Sequence, residues 1–314
     1  MEASNARPLG QTVGIVGALV AVVGWAASGV IAKAIDLPSL VVVVYRFWMS
    51  SFVFIGYLTL MGIRRGEVQL TWRKLWIALP GGLGLAADVA FFFSAVKLTT
   101  IANATIVIAL QPLLMMYLGT RLLGERVRAG QIAWSFVALS GVGLLVFGSS
   151  GLPEWSLTGD LLSVGALFAW TAYLFFSKAT GDRLTPVEYT AATGLITAVV
   201  NTPLVFVFGQ QMSWPDGQSW VLLGAMVLGS GMGAHLLMNW SIQRIPVWFG
   251  STMLSMLIPA FSAGLAWLFL DERMNVAQIA GILLTLGALL AITRLAEAPP
   301  DTPEPSLLTE GATR

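Results

Sequence analysis

Two ionisable residues interrupt a chain that is otherwise strongly apolar, and each follows a run of glycines. Asp88 comes shortly after Pro80-Gly81-Gly82-Leu83-Gly84, and His235 after Gly229-Ser230-Gly231-Met232-Gly233. A carboxylate in apolar surroundings is costly unless a cation or a hydrogen-bond donor meets it. An imidazole titrates near neutrality and can donate, accept or carry a proton. Helical spacing puts Phe91 and Phe92 on the face of Asp88, and Met238 and Asn239 on the face of His235. Trp25, Trp170 and Tyr173 add rings and a phenolic hydroxyl. This set suits a small molecule with an apolar body and charged ends. An ammonium group would meet Asp88 or a ring face, and a carboxylate would accept from Asn239 or protonated His235. Asp88 and His235 are also the candidates for proton coupling. The plain alternative is packing: an Asp88 paired within the fold, a hydrogen-bonded core histidine and tryptophans that fill space.

The elements that carry these residues must be membrane helices. Of 314 residues, 56% are hydrophobic and 11% charged, against about 25% charged in a typical globular chain. Mean hydropathy is +0.80. With no Cys, disulfides, Cys-based zinc sites and thiol catalysis are excluded. One His and no metalloprotease or nucleophile-elbow pattern speak against an enzyme, a metal centre or a cofactor. A net charge of +1 advertises no nucleic-acid partner. Ten apolar runs are each long enough to cross the roughly 30 Å hydrocarbon core as a helix. The expected organisation is an N-terminal segment over 1–11, five spans over 12–148, a linker over 149–158, five spans over 159–295 and a disordered tail over 296–314.

Loop charge orients this bundle. With ten spans, the side holding both termini carries thirteen Lys and Arg, and the other carries only Lys33, Lys97 and Arg273. The positive-inside rule then places both termini in the cytoplasm, and 149–158 becomes an extracytoplasmic linker. Lys33 and Lys178 sit at span ends, where they can snorkel. Arg46 lies about two turns into the second span, some 10 Å by helix rise, where it either snorkels or lines a vestibule. Trp72, Trp76, Trp214 and Trp220 fall near span ends as an interfacial belt.

The chain also repeats itself. Pro112…Leu123-Gly124-Glu125-Arg126…Gln131-Ile132-Ala133 matches Pro259…Leu270-Asp271-Glu272-Arg273…Gln278-Ile279-Ala280 at a constant offset of 147. The same offset relates Gly82 to Gly229, Gly84 to Gly231 and Asp88 to His235, and an offset of 145 relates Trp25 to Trp170. Five spans per copy is an odd number, so the copies must lie in the bilayer with opposite topology. Such inverted repeats typify secondary transporters, whose substrate sites lie near the midplane between the repeats. Gly82, Gly84, Pro112, Gly229, Gly231 and Pro259 are then the expected points of helix bending. Gln111 is a secondary cavity candidate. The acids of the Glu125-Arg126 and Glu272-Arg273 turns suit the dipole of the helix that follows each.

The double Pro-x12-Glu-Arg-x4-Gln-Ile-Ala block, each copy followed by a Gly/Ala-rich helix, resembles the drug/metabolite transporter superfamily. Within it the chain is similar to the EamA-type ten-helix exporters, and most to the YddG-type exporters of aromatic and other neutral amino acids. The resemblance covers about residues 12–296. It implies a multi-pass transporter of the bacterial cytoplasmic membrane that works by alternating access around a midplane cavity. The partners would be a small-molecule substrate and the lipid bilayer, and one chain has enough helices to enclose the cavity as a monomer. A lipophilic or cationic drug, or another small metabolite, is the alternative cargo.

Overall fold

A computed structural model describes residues 9–98, 101–150, 156–269 and 274–297. All the regular secondary structure of the described residues is helical. The first half holds α1 (Leu9–Lys33), α2 (Ser39–Arg65), α3 (Trp72–Leu98), α4 (Ile101–Ala109), α5 (Gln111–Leu122) and α6 (Ala129–Ser150). The second holds α7 (Leu157–Ala179), α8 (Pro186–Val207), α9 (Gly217–Met226), a π-helical segment over Val227–Ala234, α10 (His235–Ile242), α11 (Val247–Phe269) and α12 (Val276–Glu297). These compose ten membrane-capable spans. The fourth is α4 and α5 in series, and the eighth is α9, the π segment and α10. Ten crossings bring the end of α12 back to the face from which α1 starts. The helices overrun the expected boundaries: α1 begins at Leu9, α6 ends at Ser150 and α7 starts at Leu157. The rest of the 1–11 segment, the middle of the 149–158 linker and nearly all of the 296–314 tail lie outside the described residues, as does Glu272.

Helix is the required solution, because hydrocarbon offers no partner to backbone N–H and C=O groups. At the ends, side chains take over. Thr185 and Glu188 form a reciprocal capping box at the start of α8. Asp216 accepts from Ser219 N at 2.7 Å at the start of α9. Gly66, with φ of 70°, closes α2. The repeated Gln-Ile-Ala block has the same origin. Gln131 Oε1 accepts from Arg128 N at 2.8 Å, and Gln278 Oε1 accepts from Asn275 N at 2.8 Å. Both copies of the motif therefore cap the last span of their half.

The two halves interlock and do not stand side by side. α3 packs on α7 and α8, α1 on α10 and α11, α2 on α8, and α6 on α12. Every one of these seams joins one half to the other. The pattern also survives exchange of the halves. The third span meets the sixth as the eighth meets the first, and the fourth meets the sixth as the ninth meets the first. An inverted repeat generates this pseudo-twofold set of contacts. Small residues make the close seams. A Cβ on Gly84 would fall 2.9 Å from Ala169 O and 3.0 Å from Tyr173 N. At the related seam, a Cβ on Gly24 would lie 3.3 Å from Ala234 Cβ and 3.4 Å from Gly229 O.

The expected bending points differ among themselves. The fourth span breaks at Leu110, directly before Gln111-Pro112, because a proline within a helix cannot continue the hydrogen-bond ladder. The Gly229–Gly231 run is wound as π-helix, a form that marks functional positions in helices. Gly82 and Gly84 instead lie in an unbroken α3, and Pro259 lies inside an unbroken α11.

Candidate functional site

A cavity of about 340 Å³ lies between the halves. α1 contributes Trp25, α2 Arg46, α3 Leu85, Asp88, Val89 and Phe92, and the fourth span Thr105, Ile108 and Ala109. The second half contributes Trp170, His235, Leu254, Ser255, Ile258 and Pro259. Of the residues expected from the sequence, Trp25, Asp88, Phe92, Trp170, His235 and Pro259 thus converge on one chamber. The rings are packed against one another. Trp25 meets His235 edge-on with centroids 4.9 Å apart, and Trp170 edge-on at 6.0 Å.

Four other expected site residues do not line this cavity. Phe91 is half-exposed and its ring lies against Gly165 of α7. Asp88 stands between the directions of i+3 and i+4, and only Phe92 turns inward. Met238 is fully buried near Gly250, in the seam with α11. Tyr173 and Asn239 are also buried, and they form a polar network behind the chamber. Asn239 Nδ2 donates to Tyr173 Oη at 2.8 Å and to Thr190 Oγ1 at 2.9 Å, while its Oδ1 accepts from Ser177 Oγ at 2.8 Å. Both N–H donors of that amide are used, so none is left for a carboxylate. Met238 and Asn239 follow His235 in regular α-helix, but the seams with α7, α8 and α11 take up their side chains behind the chamber wall.

The network fixes the imidazole. Tyr173 Oη lies 3.0 Å from His235 Nδ1. The phenol oxygen already accepts from Asn239, so its own hydrogen is satisfied when it donates to Nδ1. With that donation a neutral His235 would carry its proton on Nε2, which has no protein partner among the described residues. A neutral imidazole of this tautomer is a hydrogen-bond donor toward the cavity wall it helps to form.

Arg46, which the sequence leaves between snorkelling and lining a vestibule, reaches the chamber because Gly231 of the opposite half has no side chain. A Cβ there would stand 3.3 Å from Arg46 Cγ and 2.8 Å from Ser50 Oγ. Ser255 carried no signal beyond a hydroxyl in a long apolar helix. It donates to Gln111 Oε1 at 2.9 Å, so Gln111 stands behind the wall and not in it.

On the face holding the termini, charged side chains close the bundle. Lys178 Nζ donates to the backbone oxygens of Ile242 and Ile245, the latter at 3.0 Å. It caps a helix end, and the expected snorkelling does not occur. Glu125 accepts from Val247 N at 2.7 Å and Trp248 N at 3.5 Å. It therefore caps α11, across the bundle, and not the helix that follows it in sequence. Burial pushes its carboxyl above the ordinary carboxylate range, against the pull of the Val247 N–H, Lys178 and the Trp248 N–H. Gln243 Nε2 donates to Ser177 O at 2.6 Å in the same region. Trp72, Trp76 and Trp214 stand exposed at span ends, where a lipid–water boundary would receive them.

Ten apolar spans, two interlocked inverted halves and a chamber between them define a membrane transporter. The chain belongs to the EamA-like transporter family, whose pattern matches residues 12–147 and again 157–294. This is a family of transporters and not of enzymes, and it makes the chain a multi-pass protein of the bacterial inner membrane. The chain is similar to the aromatic amino acid exporter YddG of Ancylobacter novellus, with 30% identity over 58% of this chain and 63% of that one. It is 26% identical to a probable amino-acid metabolite efflux pump of Escherichia coli, over 88% of this chain and 92% of the pump. It is 27% identical to the riboflavin transporter ImpX of Fusobacterium nucleatum, over 70% of this chain and 75% of that one. A solved crystal structure matches with a TM-score of 0.76 at 22% identity, over 93% of this chain and all of that one, which speaks to the fold alone. The chain is therefore a membrane transporter of the EamA-like family, within the drug/metabolite superfamily.

Proposed function

We propose that this chain exports small neutral and aromatic amino acids by alternating access. The supporting observation is the chamber itself. Trp25 and Trp170, related by the repeat, meet over it from opposite halves, and a few polar groups interrupt an apolar lining. Its volume is at the small end of the range for ligand pockets. The names of the exporter and efflux relatives point the same way.

With both termini in the cytoplasm, this conformation would serve as the outward-facing one. Thr105 lies near the outer end of its span, whereas Lys178, Glu125 and Gln243 seal the inner face. Export requires those caps to part while the outer ends close, a motion of one interlocked half against the other. The helix ends of α10 and α11 are the elements that must exchange partners.

A flat aromatic cargo is the second reading, favoured by the ring-lined chamber and by the riboflavin-transporting relative. A lipophilic cation fits less well, because Arg46 shares the cavity with Asp88. The test is purified protein in liposomes, screened for transport of each of the twenty amino acids and of riboflavin. Saturable movement of phenylalanine, tryptophan or a small neutral amino acid supports the proposal. Movement of riboflavin or of a quaternary ammonium probe, with no amino acid transported, overturns it.

A further inference from the structure

The chamber holds two opposite charges that the bundle does not use for its own cohesion. Arg46 comes from α2 and Asp88 from α3, and both line the cavity. Yet no ion pair joins Arg46 to Asp88 among the described residues. In a low dielectric two such groups in contact attract strongly, so holding them apart requires a reason.

The geometry supplies one. The stem of Arg46 lies along Gly231, and its guanidinium carbon stands 4.9 Å from the centroid of Phe47. Its Nε is buried with no hydrogen-bond partner. Asp88 accepts no hydrogen bond from the described residues, although its neighbours on α3 pack tightly into α7 and α8. A fork of unused donors and an acceptor-only group therefore share one 340 Å³ space, with the rings of Trp25 and Trp170 beside them.

We infer that Arg46 and Asp88 are the two poles of a zwitterion subsite, the guanidinium taking the α-carboxylate of the cargo and the Asp88 carboxylate its α-ammonium. The side chain of the cargo then lies against Trp25, Trp170 and Phe92. This inference rests on the amino-acid reading above and deepens it by naming what the site measures: both charged ends of one free amino acid. A zwitterion brings no net charge into the membrane, so each buried pole gains a partner and the total charge of the chamber is unchanged. A molecule with one end blocked leaves one pole buried and unpaired, which is the costly arrangement.

The experiment is competition for labelled phenylalanine transport in liposomes by unlabelled phenylalanine, phenylalaninamide and N-acetylphenylalanine. For the unaltered protein, phenylalanine should compete about 10- to 100-fold better than either blocked form, the worth of one lost charge-assisted hydrogen bond. Arg46→Gln should erase the preference over the amide and keep that over the N-acetyl form. Asp88→Asn should do the reverse. Where a variant no longer transports, ligand-induced thermal shifts rank the same three compounds. The inference is overturned if a blocked form competes with the unaltered protein as well as phenylalanine does, a result that needs no variant to fold. It is also overturned if both folded variants keep both preferences. Failure of the functional reading is distinguishable: the unaltered protein would then move no amino acid at all.

Discussion

Tyr173→Phe removes one oxygen and keeps a ring, so it isolates the network behind the chamber. The ring stacks on Trp170 with centroids 5.2 Å apart and on Tyr189 at 5.8 Å, and both contacts persist without the hydroxyl. The lost groups are the acceptor for Asn239 at 2.8 Å and the donor to His235 Nδ1 at 3.0 Å. Hydrogen bonds between membrane helices average about 0.6 kcal/mol and reach about 1.7. Two of them come to about 1–3 kcal/mol, with the upper part expected here because both stranded partners are buried. Unfolding by SDS in mixed micelles, followed by tryptophan fluorescence, measures the loss. Tyr189→Phe serves as the comparison, since it removes only a donation to the Tyr173 carbonyl. A double-mutant cycle with Asn239→Leu should give less than the sum of the two single losses, because both variants break the same bond. The functional counterpart is weaker amino-acid binding, as His235 loses the partner that fixes its tautomer. Unchanged stability in Tyr173→Phe, with strictly additive behaviour in the cycle, would refute the network as a support for the site.

Three further outcomes follow from the same geometry. Gly84→Ala should lower stability and folded yield, because its new Cβ meets the backbone of α7 at 2.9 Å; Gly224→Ala, which meets nothing within 4 Å, should be neutral or slightly stabilising in the same melt. Ala substitutions of Trp25 and Trp170 should each weaken phenylalanine transport and leave glycine transport less affected, since the rings serve the side chain of the cargo. The third is a pH effect. Burial holds the Glu125 carboxyl above its ordinary 4.5 when the inner face is sealed, whereas a solvated Glu125 in the opposite state titrates at the ordinary value. The sealed state therefore binds more protons between those two values, and its population should rise as pH falls through that window. Labelling of a single cysteine at Thr180 of this cysteine-free chain should then slow toward the acid end more than the loss of thiolate alone requires. Glu125→Gln should leave only the intrinsic thiolate dependence.

The ten spans were legible because lipid demands long apolar runs, and the inverted halves because the 147-residue offset preserves whole motifs. The caps explain why: Gln131 and Gln278 repeat since each satisfies the first backbone donors of an equivalent helix. Spacing along α3 was only partly informative: Asp88 and Phe92 line the chamber, whereas Phe91 turns to Gly165 of α7. Residues whose role depends on another helix were not legible from their own. Arg46 points into the chamber because a glycine far away in sequence leaves room for its stem. Tyr173 and Asn239 carry suitable chemistry but turn it toward each other, a choice made at the seam between α7 and α10. Glu125 and Lys178 read as local charges, yet they close helix ends contributed by another loop.

The central claim is a chamber between the halves that holds an amino acid and opens to one face at a time. Thr105 lines it, and the native chain has no cysteine to interfere. The decisive measurement is labelling of Thr105→Cys by a membrane-impermeant thiol reagent applied separately to each face of sealed vesicles, with and without phenylalanine. The account predicts labelling from the face opposite the termini alone when no substrate is present. Phenylalanine should slow that reaction and give measurable labelling from the terminal face. Equal labelling from both faces, or a rate that phenylalanine does not alter, would contradict it.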